Sequence, residues 1–303
     1  MRLNFKKIVL SLLPFTLSFT SAEEVDDGAG AEIVIFVNKD GNESEYASAI
    51  KTFNDYQIPY VRKEFSKDGY SGTFDFLYKD GQARFSALVF PNGRVTFRGD
   101  GDVAWKSTLT DDQWNTIEQY ARDTQARIVY LNEFPHELTC TQVYNDYGDN
   151  NPGYFDVVQT VEAAEGTSMA DEINELKMTT EGIHHYPAVN NPKTPDCKVE
   201  PMLYFAPEMQ IYPERTYAAV TAERDGLEML AFYLAFGDWS RASNTLNVIW
   251  LQWALRKDLK QIATTGDTTK TAFGKASAAD KTTTAGVLLI TLSTIFTIFV
   301  TLF

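Results

Sequence analysis

Short apolar runs that alternate with helical stretches constrain the fold of this chain most strongly. One stretch, 44–56, has apolar residues at helical spacing, with Ser44 as its N-cap. A second stretch begins at Thr110, whose Thr-Asp-Asp-Gln sequence is a capping box. The runs with the length and composition of buried strands are 32–37, 58–61, 85–90 and 126–131. The order predicts an α/β fold with an open, mostly parallel sheet flanked by helices, in flavodoxin-like or glutamine-amidotransferase-like layering.

The second half of the chain is less regular. The run 228–236 predicts a late strand, and Ser243 or Asn244 is expected to cap a helix that carries Trp250 and Trp253 as core residues. Two polar, turn-rich segments, 146–153 and 187–195, predict surface loops. We therefore expect irregular loop insertions in the sheet.

Residues 1–22 have the pattern of a signal peptide. Three basic residues precede an apolar stretch, and the small residues Ser21 and Ala22 follow it. A membrane anchor is the alternative, which the short run and its interruption at Pro14 disfavour. We expect cleavage near Ala22 and one α/β domain at 23–263.

The last residues have the pattern of a glycosylphosphatidylinositol (GPI) signal. An uncharged apolar tail of 17 residues, 287–303, follows a polar spacer and the small residues 277–279. The pattern predicts a polar stalk at 264–279, attachment at Ser277 and removal of 280–303. A membrane-spanning helix is the alternative, although 17 residues is at the short limit for a bilayer. We expect a protein on the extracellular face of the plasma membrane or in the cell wall, anchored to the membrane by lipid.

The charge of the chain restricts its partners. The net charge is −14, and removal of the leader's three positive charges leaves −17. Such a surface repels phosphate backbones, which excludes nucleic acid, and attracts cationic partners. Three histidines, two cysteines and the absence of a G-x-S-x-G motif point to no metal site and no catalytic residue, and we expect no cofactor.

Two covalent modifications are expected in a secreted chain. Cys140 and Cys197 are the only cysteines, and an oxidising compartment favours a disulfide between them, with two buried thiols as the alternative. Asn42 lies in the only glycosylation sequon, Asn-Glu-Ser.

Two short motifs contain the candidate binding residues. Adjacent His184 and His185 point to opposite sides if the segment is extended, so they are a poor joint metal site, and one can contact a ligand while the other lies in the core. Asp238 and Trp239 follow the late strand, where open α/β sheets bind ligands. An indole ring beside a carboxylate suits the apolar face and the hydroxyls of a sugar. The alternative is that Trp239 belongs to the core.

Three stretches together, 109–132, 182–188 and 238–256, resemble the N-terminal carbohydrate-binding module of the secreted fungal deacetylases that act on galactosaminogalactan, a polymer of galactose and N-acetylgalactosamine. In that family a metal-dependent deacetylase domain follows the module, whereas here the chain passes from Leu259 into the stalk. The resemblance therefore implies non-catalytic binding of an aminosugar-containing polysaccharide, and the negative charge of the chain favours one that is cationic or partly deacetylated. His185, Tyr186, Asp238 and Trp239 match the motifs and are the candidate contacts. A cell-surface glycan-modifying hydrolase that uses carboxylates and a structural wall protein without a ligand are the alternatives.

Overall fold

The structure, a computed structural model, describes residues 31–98, 105–144 and 157–259. The predicted signal peptide, stalk, GPI signal and domain boundaries lie outside these ranges. The strands and helices in chain order are β1 (Ile33–Asn38), α1 (Ser44–Asp55), β2 (Tyr60–Phe65), β3 (Tyr78–Lys79), β4 (Gln82–Ala83), β5 (Ala87–Phe90), β6 (Thr96–Arg98), β7 (Trp105–Ser107), α2 (Asp111–Thr124), β8 (Arg127–Tyr130), β9 (Thr141–Val143), β10 (Val161–Ala163), α3 (Ala170–Glu175), β11 (Ala188–Asn190), β12 (Lys198–Phe205), β13 (Thr216–Arg224), β14 (Leu227–Phe232) and α4 (Arg241–Leu255).

A ten-stranded open sheet organises the described residues. Five neighbouring strands, in the order β2-β1-β5-β8-β14, run parallel to one another. Beyond β14 the sheet continues through β13, β12 and β10 with antiparallel pairing, and β11 joins β9 to β13. The open α/β architecture predicted from the sequence is confirmed, with the parallel strands forming one half of a mixed sheet. The antiparallel extension is an addition that the sequence analysis did not identify as strands.

Helices cover both faces of the parallel strands because each helix has one apolar side. The capping box at Thr110 is present, since its hydroxyl accepts from the Gln113 N–H and the Gln113 side chain accepts from the Thr110 N–H. Helix α2 buries Trp114 and Ile117 in a core that includes alternate residues of β1, β5 and β8. On the other face α1 packs on α4, where Phe53 meets the ring of Trp250 at 5.8 Å.

Helix α4 begins earlier than the sequence predicted. Its first residue is Arg241, with Ser240 at the N-cap, so Ser243 and Asn244 lie inside the first turn. Ser243 is buried, and its hydroxyl oxygen accepts a hydrogen bond from the Gly237 N–H at 3.2 Å. This oxygen therefore binds a backbone group outside the helix. Trp250 is fully buried, as expected, whereas Trp253 is only partly buried and stacks under the guanidinium of Arg127 at 4.3 Å.

The disulfide between Cys140 and Cys197 is present and closes a separation of 57 residues. Cys140 directly precedes β9 and Cys197 directly precedes β12. The bond therefore connects two parts of the antiparallel extension. Among the described residues, none of the helices combines the length and apolarity needed to cross a bilayer.

Candidate functional site

The loops after β1, β5, β8 and β14 all leave the parallel strands at one edge, here called the carboxyl edge. Strand β2 lies on one side of β1 and strand β5 on the other, so the strand order reverses at β1. The carboxyl edge at this place is therefore the topological switch point of the sheet. Backbone hydrogen bonds connect the loops: Gly93 donates to Leu131 at 2.8 Å, and Asp238 donates to Ser44 at 3.3 Å. Ligands of open α/β sheets bind in this position.

Trp239 is held outside the core at the carboxyl edge. Its side chain is 52% exposed, and its ring lies directly over Gly237. A Cβ atom at position 237 would approach the ring to 1.8 Å, so only glycine leaves room for the indole in this place. The neighbouring Asp238 is exposed as well. The structure thus exposes a carboxylate and an aromatic ring at consecutive positions of the chain.

The two adjacent histidines point in opposite directions, as the sequence predicted. His185 pairs with Leu234 in an isolated antiparallel bridge, and its ring is fully buried. The ring lies 3.2 Å from the Gln159 amide oxygen and packs on Phe205 at 4.9 Å. Burial lowers the pKa of His185 to about 4, which keeps the ring neutral at physiological pH. His185 therefore lies beneath the surface, whereas His184 is exposed.

A row of aromatic rings lies beside this bridge. It consists of Phe134, Tyr186 and His184, and is called the aromatic row below. Tyr186 contacts the Phe134 ring edge to face at 5.1 Å and the His184 ring at 6.3 Å. Tyr186 is partly buried against the core, and Phe134 is 49% exposed. Sequence reasoning missed Phe134, although its position just after a predicted strand was a usable signal.

A buried carboxylate lies directly beneath the exposed Phe134. Glu133 is 1% exposed, and its Oε1 accepts from the Phe134 N–H at 3.0 Å. Arg94, on the loop after β5, faces the same oxygen with its Nε at 3.7 Å. Oε2 has no hydrogen-bond partner within the described part of the chain. Burial raises the pKa of Glu133 to about 7, even though the Arg94 charge opposes the shift.

The remaining predicted residues are placed as follows. Asn42 is exposed in the loop after β1, and its Oδ1 accepts from the Ser44 N–H at 3.0 Å at the start of α1. Its glycosylation stays a prediction, and Ser277 lies outside the described residues. In the described ranges no cluster of three or more metal-ligating side chains occurs.

The described residues form an open α/β sheet that exposes aromatic and carboxylate groups at its switch point, where sheets of this class bind their ligands. The sequence match identifies the particular family. The family model for the Agd3 carbohydrate-binding module, CBM87, matches residues 30–253. The chain belongs to this family of carbohydrate-binding modules, and the resemblance predicted from the three motifs is confirmed.

Three solved structures are similar to this chain to different degrees. The carbohydrate deacetylase Agd3 matches with a TM-score of 0.60 and 25% identity, over 75% of this chain and 32% of that chain. The present chain thus spans about a third of that deacetylase. A ThuA-like protein from Bacteroides uniformis matches with a TM-score of 0.39 and 10% identity, over 80% of this chain and 95% of its own. A cold-adapted β-galactosidase from Rahnella sp. R3 matches with a TM-score of 0.40 and 8% identity, over 74% and 31%. No curated protein gives a match.

Proposed function

We propose that this protein binds an aminosugar-containing polysaccharide, without catalysis, at the carboxyl edge. The observation that carries the proposal is the exposed Trp239 ring, fixed over Gly237 beside the exposed Asp238, in a member of a carbohydrate-binding family. The indole offers an apolar face to the C–H groups of a sugar ring. The Asp238 carboxylate accepts hydrogen bonds from hydroxyl or ammonium groups.

The other candidate residues have distinct parts in this proposal. Tyr186 contacts the glycan with the exposed part of its ring. His185 is a positioning residue, because its buried ring holds the 183–187 segment against Gln159 and Phe205 without reaching the surface.

The charge of the chain supports a cationic ligand. At a net charge of −14 the protein attracts a polymer that carries free amino groups, and a neutral glycan gains nothing from this field. Deacetylation of N-acetylhexosamine units creates such amino groups. The similar protein Agd3 is a carbohydrate deacetylase, which fits a ligand that exists in acetylated and deacetylated forms.

Full-length protein is expected to bind partly deacetylated galactosaminogalactan or chitosan more tightly than the acetylated forms, by about tenfold at low salt. Each exposed ammonium–carboxylate pair contributes up to about 1 kcal/mol, and a polymer makes several. The advantage should shrink as salt rises to about 0.5 M, because screening shortens the field. Isothermal titration calorimetry at two salt concentrations measures both effects. Equal affinity for the two forms at low salt would contradict the charge argument.

Matched variants separate the ring from the charge. Trp239→Ala should weaken binding of both forms, and Gly237→Ala should do the same with the indole still present, because the added methyl group displaces the ring. Tyr78→Ala is the control, since this 42% exposed ring packs on Tyr120 near the amino end of β5. Circular dichroism checks the folding of each variant. If Tyr78→Ala weakens binding as much as Trp239→Ala, the site is placed wrongly.

We also propose that a GPI anchor attached at Ser277 displays the protein on the cell surface. The small residues 277–279, the polar spacer and the terminal apolar tail support this. Phosphatidylinositol-specific phospholipase should release the protein from cells, and deletion of 287–303 should cause its secretion. The anchor proposal fails if the protein stays on the membrane after this treatment with its tail detected by mass spectrometry.

A further inference from the structure

The aromatic row lies at the carboxyl edge and includes two rings, Phe134 and His184, that the proposed glycan contacts do not use. Phe134 is 49% exposed, so about half of its apolar surface is available to a ligand.

Phe134 is fixed in its outward position by buried groups. Its N–H donates to Glu133 Oε1 at 3.0 Å, and the Glu133 N–H donates to the Phe232 carbonyl at 2.8 Å. Glu133 is 1% exposed and faces Arg94. These contacts position the backbone at 134, and the ring itself packs against Tyr186 at 5.1 Å, so less order has to be gained on binding.

The other two members of the row are fixed by the end of β14. The Tyr186 N–H donates to the Tyr233 carbonyl, and the Ala235 N–H donates to the His184 carbonyl, each at 2.7 Å. The same segment then continues from Ala235 to Trp239. Four residues span at most about 14 Å, so the aromatic row and Trp239 lie within reach of one sugar chain.

We propose that the aromatic row is a second glycan-binding platform, and that together with Trp239 it makes the protein select long polysaccharides over short oligosaccharides. This inference rests on the proposed function. A long chain that is bound at Trp239 reaches the row as an intramolecular event with a high effective concentration, whereas a disaccharide occupies one platform at a time. The selection for length thus needs no contact beyond the two platforms.

The test compares long-chain chitosan with a chitosan disaccharide on full-length protein. Phe134→Ala should weaken binding of the long chain about tenfold and change disaccharide affinity less than twofold. Phe134→Tyr, which keeps the ring, should restore long-chain binding. Tyr78→Ala again serves as the control for loss of an exposed ring away from this edge.

The possible results separate the two proposals. If Phe134→Ala binds the long chain within twofold of wild type while Trp239→Ala loses binding, the second platform is wrong and the function at Trp239 stands. If the wild-type protein binds neither chitosan nor galactosaminogalactan at any length, both proposals fail. If long and short ligands bind wild type with equal affinity, the selection for length is wrong.

Discussion

Loss of the Cys140–Cys197 disulfide is expected to lower the free energy of unfolding by on the order of 4 kcal/mol. The bond closes a loop with a separation of 57 residues, and a crosslink of that length removes much conformational entropy from the unfolded chain. Cys197→Ser is the better variant, because Cys197 is partly exposed whereas Cys140 is 1% exposed and would bury an added hydroxyl. Urea unfolding at equilibrium measures the change.

The control for this experiment is the wild-type protein after reduction and alkylation, which should lose a similar amount of stability. The antiparallel extension should be destabilised most, because the disulfide joins the residues just before β9 and β12. Labelling of both thiols in the native secreted protein, or an unfolding free energy that the substitution leaves unchanged, would contradict the prediction.

Replacement of Glu133 by glutamine is expected to raise the free energy of unfolding, relative to wild type, by more at pH 8 than at pH 4.5. The pKa of Glu133 is about 7 in the folded protein, against an ordinary value of 4.5. Between these values the folded chain binds more protons than the unfolded chain, so the wild-type unfolding free energy falls as pH rises. The stability difference between variant and wild type should therefore grow by about 3 kcal/mol across this range. Denaturant unfolding at several pH values measures it.

Glutamine is a suitable replacement because its amide oxygen can still accept from the Phe134 N–H. Glu175→Gln is the matched control, since it removes one exposed carboxylate from another part of the described chain. The prediction is wrong if the unfolding free energies of Glu133→Gln and wild type change by the same amount from pH 4.5 to pH 8.

The parallel half of the sheet was predictable because its strands and helices carry strong local signals. Strands β1 and β5 are buried along their whole length, so they appear in the sequence as continuous apolar runs. The antiparallel half lacks such signals. Strands β9, β10 and β11 have three residues each, too few to show a period, and β12 contains Pro201 and an irregular register next to it.

The candidate site was predictable only in part. The position of Trp239 follows from the rule that ligands bind beyond the carboxyl ends of strands. The alternation of His184 and His185 was also predictable, but which ring faces outward depends on the bridge between His185 and Leu234, a tertiary contact. The position of Glu133 and Phe134 just after a strand was visible in the sequence, but which of the two faces outward was not, because Asn132 adopts a left-handed conformation with φ of 52° that interrupts the strand alternation before them.

The neighbouring strands β8 and β14 are far apart in the order of synthesis. The ion pair between Arg127 and Glu228 joins residues separated by 101 positions, and the whole antiparallel extension lies between them in the chain. During translation β8 therefore emerges long before its second neighbour exists, and one side of it stays an open strand edge. Contacts of this range make folding slow and expose such edges to misassociation. The last strand of the parallel half to be made, β14, is thus the one that closes this edge of β8.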